Sequence, residues 1–453
     1  MNFDDAISLI DDYSKKKGIK YGVYLFNSKV LKMESENSSI SNFINAETNG
    51  FNLRLLSNKK MSFSYCLGLE EQKIRDTFDN GLSMLSFMEE NEYADLALCL
   101  HEQGGVPAPD FEEKLGIYSS KSDKIDMDKK KACLVEMEET AYSYDKKIYK
   151  VDKPTYSEAL ITKRICNSNG LNLSSRKTSY EVFLSVAARQ GADTGSGFDF
   201  DFSHEFDKLQ FKKVSMNAAK RGVDQLGARV ISSGSYNILF DNFTASEFLG
   251  VLKQSFYANN IYKKKSILEG KLGQKVFSSK LNIIDDGLLP GGWLTDIFDY
   301  DGVNMQRKPL CVNGIVSSFL YDIEYANRFN TKSTGNSAMQ SYALPPEIGS
   351  TNFFIENGET PLIDIIMSIK EGLYINELMG LHMAKPYTGE FSLGASGFYI
   401  KNGKIEFPVK GIVVSGNLLQ LFNNIAGIAN DIRFFGSTGS PSILFENVEV
   451  SGK

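Results

Sequence analysis

Phe3, Ile7, Leu9, Ile10 and Tyr13 recur at helical spacing, with acidic and basic residues between them, and predict a helix over residues 3–17. The period then changes. YGVYLFNSKVLKME and, after the turn-like NAETNG, FNLRLLSNKKMSFSYCL are rich in β-formers and predict antiparallel strands. Ile74, Phe78, Leu82, Leu85 and Phe87 restore the helical spacing over residues 70–90. Gly104, Gly105, Pro107 and Pro109 open an irregular connection over 102–130. A helix over 127–146 leads into strands over 158–190, where TSYEVFLSVAAR alternates. Helices and strands follow one another without a βαβ repeat, so the expected class is α+β.

GADTGSGFDFDFSHEF, residues 191–206, is rich in Gly, Asp and Ser and reads as a linker. The expected domains are therefore a mixed helix and antiparallel-sheet unit at 1–205 and a second unit at 206–453. VSMNAAKRGVDQLGA predicts a helix, and NILFDNFTASEFLGVLKQSFY a strand running into another. In that second helix Thr244 and Glu247 have capping-box spacing, which sets its start near Ala245. Past residue 280, short apolar runs are punctuated by glycine, and KNGK between two of them predicts a hairpin. The second domain is expected to be β-rich.

The length of 453 residues supports the two-domain division, since single cores stop growing well below that size. A net charge of −6 and only short lysine runs, Lys129–Lys131 and Lys263–Lys265, argue against nucleic acid as a partner. Cys66, Cys99, Cys133, Cys166 and Cys311 are dispersed, odd in number and form no CxxC, the pattern of reduced thiols in a cytoplasmic protein. The acidic N-terminus does not resemble a signal peptide, and no apolar run reaches the roughly 18 residues of a membrane span.

Candidate chemistry starts with SHEFDKLQ, which pairs His204 with Glu205. A zinc peptidase helix needs a second histidine one turn on, and Lys208 and Leu209 stand there instead. His101 fails the same test, being followed by Val106 and Pro107. Both histidines are expected to be dispensable, with a surface or capping role for His204. Asp285, Asp286, Asp296, Asp299 and Asp301 could offer oxygen ligands to a divalent ion, but turns are the more economical reading. SLGASG, Ser392–Gly397, could present backbone amides to an anion or mark a tight strand crossing. Ser333, Thr334, Gly335 and Asn336 could bond a substrate backbone or form a turn. His382 stands alone, and no GxSxG accompanies it.

The second half resembles the TldD/PmbA family. The resemblance rests on KSILEGKLGQKVFSSKLNIIDD, FDYDGV, STGNS, EGLYINELMG, TGEFSLGASGFYIKNGKIEFPVKGIVVSGN, NNIAGIANDI and SPSILFENVEVSGK, in order over roughly 235–453. The family implies two kinds of subunit: TldD-type chains with an HExxxH zinc motif and a later cysteine ligand, and PmbA (TldE) chains without them. The positions matching the motif here are Asp241, Asn242 and Ser246, and NDIRFFGSTGSP holds no cysteine. An amide is no general base for a metal-bound water, and a hydroxyl is a poor zinc ligand. No metal, other cofactor or catalytic residue is therefore expected.

The resemblance implies a cytoplasmic non-catalytic subunit, paired with a TldD-type partner or with itself when alone, acting on unfolded peptides. Candidate peptide-binding residues are Ser333, Thr334, Gly335, Asn336, His382, Gly389, Ser392, Gly394, Ser396 and Gly397. The alternatives are a hydrolase with a divergent site of its own and, behind the older family name, a modulator acting on DNA gyrase.

Overall fold

The computed structural model describes residues 1–99, 110–121 and 125–453; His101 and part of the 102–130 connection lie outside these. Helix α1 (Phe3–Lys17) is capped by Asn2, whose side chain accepts from the Asp5 N–H at 2.9 Å, and ends at Gly18 with φ +66°. The first sheet contains β1 (Lys20–Glu36), β2 (Ser39–Ser57), β3 (Lys60–Leu67), β4 (Ile148–Asn167), β5 (Asn172–Gln190) and β6 (Asp193–Ser203). It is antiparallel throughout, in the order β3-β2-β1-β4-β5-β6.

Helix α1 and α2 (Glu71–Leu85) cover the β1–β3 end, burying Ala6, Ile10, Ile74 and Phe78 against Val23, Phe51 and Leu53. A short turn of helix, α3, spans Phe111–Lys114. The β4–β6 end is covered by α4 (Met127–Tyr144) and α5 (Phe211–Asp224), with Leu134, Met137, Ala218 and Ala219 packed on Val182 and Leu184.

Three expectations change here. NAETNG is not a turn but lies inside β2, which runs unbroken because β1 supplies a partner for every residue from Asn45 to Gly50. The stretch 191–206 is not a linker: 193–203 form β6, paired along β5 from Tyr180 to Gln190. The glycines there serve close approach. A Cβ at Gly197 would stand 2.3 Å from the Ala218 carbonyl oxygen and 2.4 Å from the Gly222 nitrogen. Helix α5 is thereby fitted onto β6, so a division at 205/206 would part a helix from the sheet it covers. Third, His204 is not a surface residue; it is 2% exposed.

The C-terminal half holds two further six-stranded sheets. One is ordered β16-β15-β14-β7-β20-β17, with β7 at Gly234–Phe240, β14 at Glu371–Met379, β15 at Glu390–Lys401, β16 at Lys404–Asn417, β17 at Ile425–Ile428 and β20 at Ile443–Ser451. Pairing of Val413–Ser415 with Glu449–Ser451 joins β16 back to β20 and closes a barrel-like ring. The β15–β16 hairpin turns at Asn402 and Gly403, both with positive φ, as KNGK predicts. The other sheet is ordered β10-β9-β8-β13-β19-β18, from β8 (Ile283–Asp286), β9 (Arg307–Val312), β10 (Ile315–Val316), β13 (Asn352–Ile355), β18 (Arg433–Phe435) and β19 (Thr438–Ser440). A two-stranded ladder pairs β11 (Ser337–Ala338) with β12 (Glu347–Ile348).

Between the large sheets runs α6 (Asn242–Leu252), which touches β14, β18 and β19 and buries Phe248, Leu249 and Leu252 in the shared core. No helix among the described residues is long and apolar enough to cross a membrane.

Candidate functional site

Strand β7 passes into α6 through one residue, Asp241. The helix starts at Asn242, three residues before the expected start, because Asp241 rather than Thr244 caps it. The Asp241 carboxylate accepts from the Thr244 N–H at 2.7 Å. Thr244 sits inside the first turn with its side chain fully buried. The other oxygen of Asp241 pairs with Arg221 of α5 at 3.2 Å. Burial pushes this carboxyl above its usual range, and Arg221 and the Thr244 N–H oppose that shift.

Asn242 donates through its side-chain amide to the Asp431 carbonyl at 3.2 Å, and the Ser246 hydroxyl donates to the Phe243 carbonyl at 2.7 Å. All three motif positions are thus engaged internally. In the later segment Asp431 accepts from the Ser442 N–H and hydroxyl at 2.8 and 2.7 Å, and Arg433 pairs with Asp199 at 2.8 Å. Among the described residues no three His, Cys, Asp or Glu side chains converge on one point. The residues present do not fit the zinc ion of an HExxxH site.

One position past Ser246, the helix opens onto a cleft of 550 Å³ between β6 and the C-terminal half, lined by Phe200, Phe243, Glu247, His382 and Phe435. Phe435 sits edge-on to Phe243 and Phe200, with ring centres 5.0 and 5.9 Å apart. Glu247 has one carboxylate oxygen buried without a partner. Burial first, then the charges of Asp241 and Glu377, push its pKa up to about 7 against the pull of Arg221. A carboxyl near neutrality at a cleft wall can give or take a proton at working pH. Reading Glu247 as a capping partner hid this. Its place directly after the last motif position was the signal that could have found it. Arg221 left no local signal, since it meets Asp241 only through the docking of α5.

Except for His382, the other candidates do not gather here. His382 lines the cleft. Thr334 bonds the Tyr321 carbonyl and Asn336, and Ser333 accepts from Gly335, an internal turn. Asn336 is 1% exposed and bridges Asp285 and the Gly349 carbonyl. Gly397 lies in the β14–β15 ladder beside a bulge, where a Cβ would stand 2.0 Å from the Tyr374 carbonyl oxygen. Gly394 and Ser396 lie on the same strand, Ser392 is exposed, and Gly389 turns with φ +77° beside Asn417. The acidic residues are separately engaged: Asp285 with Lys308, Asp286 with Arg307, Asp296 with Lys163 and Asp301 with Arg54, while Asp299 accepts three backbone N–H groups. His204 places its two ring nitrogens 2.5 Å from the Thr178 carbonyl and 3.0 Å from that of Gly292, with its ring stacked on Trp293.

The PmbA/TldA metallopeptidase central-domain model matches residues 120–226 and the C-terminal-domain model residues 233–452. A metalloprotease PmbA homolog of Buchnera aphidicola subsp. Baizongia pistaciae is 30% identical over 70% of this chain and 68% of its own length. The chain belongs to the PmbA/TldD family. As a family member it shares its fold with a Thermotoga maritima protein described as a candidate modulator of a DNA gyrase, at TM-score 0.89 and 24% identity over 99% of this chain and 100% of that one. TldE of Thermococcus kodakarensis aligns at TM-score 0.86 and 21% identity over 99% and 100% of the two chains. The boundary between the two matched models, at 226–233, falls just after α5.

Proposed function

We propose that this chain is the TldE-type, non-catalytic subunit of a two-chain zinc peptidase acting on unfolded peptides in the cytoplasm. The observation that carries this reading is the fate of the three motif positions. Asp241 is held by a helix cap and Arg221, Asn242 by the Asp431 carbonyl, and Ser246 by its own helix. Side chains committed to such bonds cannot turn to a metal without leaving buried groups unpaired.

In that role the aromatic cleft beside Glu247 and His382 would hold an extended peptide against the partner's metal centre, with the partner docking through the C-terminal half. Of the expected peptide contacts, Ser333, Thr334, His382 and Ser392 remain proposed ones, while Asn336 and Gly397 are buried and committed within the protein. The test is reconstitution. The chain alone should hold well under one zinc per molecule and leave an unstructured peptide intact. Mixed with an HExxxH-bearing relative from the same genome, it should form a one-to-one complex whose cleavage a chelator stops. Stoichiometric zinc with chelator-sensitive cleavage by the chain alone would overturn the reading.

One observation favours a second reading, a hydrolase without zinc. The Glu247 carboxyl has a pKa of about 7 and an unpaired oxygen at the cleft. Chelator-resistant cleavage by the chain alone, lost in Glu247→Gln, would select it.

A further inference from the structure

A separate cavity of 310 Å³ lies where β4 and β5 of the first sheet meet residues 293–305 and 336–351 of the C-terminal half. Ser175, Lys177 and Ser179 point into it from alternate positions of β5, and Lys163 reaches it from β4. Lys163 is 5% exposed, pairs with Asp296 at 2.8 Å, and lies over the rings of Phe298 and Tyr300 at 4.6 and 5.0 Å. Asp296 also accepts from the Ser175 hydroxyl at 2.9 Å and the Ile297 N–H at 2.8 Å. Its charge is therefore taken up by Lys163.

Among the described residues Lys177 has no ion pair of its own, and feels only the field of the Asp296 already paired with Lys163. Its ammonium donates to the Trp293 carbonyl at 2.5 Å and the Thr295 carbonyl at 3.2 Å, which leaves one N–H uncommitted. The nearby Asp301 is paired with Arg54, and Asp299 is turned to the N–H groups of Asp301, Val303 and Ser337. Burial pulls the Lys177 pKa down to about 8, with Lys163 adding to that and Asp296 opposing it. A buried cation whose nearest carboxylate is already paired with another lysine behaves in this way. Around it the walls are aromatic and apolar, from Tyr24, Trp293, Tyr300, Met305 and Met339.

We propose that this cavity is a second ligand site, which takes a small aromatic carboxylate with its carboxylate on the Lys177 ammonium and its ring against Trp293, Tyr24 and Tyr300. The size and lining are those of a small-molecule pocket, with apolar walls, a few polar groups and the charges of Lys163, Asp296 and Lys177, of which the first two are paired with each other. The site is independent of the peptide cleft and of any role for a partner subunit. Because its walls come from both halves of the chain, the ligand clamps the first sheet to the C-terminal half and raises the stability of their docking.

Calorimetry on the full chain tests this with benzoate, benzamide and acetate as probes. Benzoate should bind one to one, and benzamide and acetate at least tenfold more weakly, one lacking the charge and the other the ring. Lys177→Met should lose benzoate binding while keeping a cooperative melt. On the unaltered chain, benzoate should also slow acetylation of Lys177 by acetic anhydride, read by peptide mass spectrometry, so the result does not depend on the variant folding. Equal binding of benzoate and benzamide, no benzoate binding up to millimolar concentration, or an unchanged acetylation rate at Lys177 would each overturn the proposal.

Discussion

Asp241 and Lys177 are both charges enclosed where elements from distant parts of the chain meet, and they are treated in opposite ways. Asp241 caps α6 and faces Arg221 at 3.2 Å, so its site is closed by the protein's own groups. Lys177 faces two carbonyl oxygens and no counter-ion of its own. A buried charge with an ion partner is structural, and removing the partner costs more than the pair is worth. A charge left with neutral acceptors keeps capacity for something further. The position that matches a catalytic motif is the closed one, and a position without any motif is the open one.

The largest test of this contrast is Arg221→Met. It leaves Asp241 enclosed without its cation and should cost about 3 kcal/mol or more, read by urea unfolding at neutral pH. A loss below about 1 kcal/mol would mean that the Asp241 site is not held by the pair.

His204→Ala comes next, at about 2–3 kcal/mol. It removes the one N–H that the buried neutral ring donates to the Thr178 or Gly292 carbonyl, and a ring packed on Trp293. A neutral effect would restore the dispensable role expected from SHEFDKLQ.

Glu247 has its folded pKa raised to about 7, so the folded chain holds that proton more tightly than the unfolded chain. The stability it contributes is full below about pH 4.5 and is lost as pH rises through 7. Glu247→Gln should therefore stabilise the chain by about 2 kcal/mol at pH 8, after discounting for the water that reaches the cleft, and not at pH 4.5. Melting temperatures across that range show the difference.

The smallest effect is expected at Lys177. Its folded pKa is lowered to about 8, so the penalty of its charge is present at pH 7 and fades as pH rises toward the unfolded value near 10.5. Lys177→Met should be neutral or stabilising by about 1 kcal/mol at pH 7, the opposite sign to Arg221→Met, because the lost carbonyl bonds offset most of the charge relief. A loss as large as that of Arg221→Met would erase the distinction between the two sites.

The sequence by itself determined the features that need only neighbours along the chain. Amphipathic spacing located α1 and α2 to within a few residues. KNGK specified a turn that needs two positive φ angles. The family stretches and the residue types at 241, 242 and 246 were legible because side-chain identity decides what can bind a metal. β6 was only half legible. Phe198, Phe200 and Phe202 alternate with Asp199 and Asp201 as in a strand, but the surrounding Gly, Asp and Ser read as a linker until β5 and α5 packed on it.

Tertiary structure alone decided the electrostatics. Arg221 reaches Asp241 and Trp293 and Thr295 offer their carbonyls to Lys177 only after the chain's halves have docked, and Glu377 presses on Glu247 only once β14 has paired beside β7. The energy of a charge depends on the water removed around it and on the partners that replace that water. Residues distant in sequence supply both, and so neither could be read from the sequence around each charged residue.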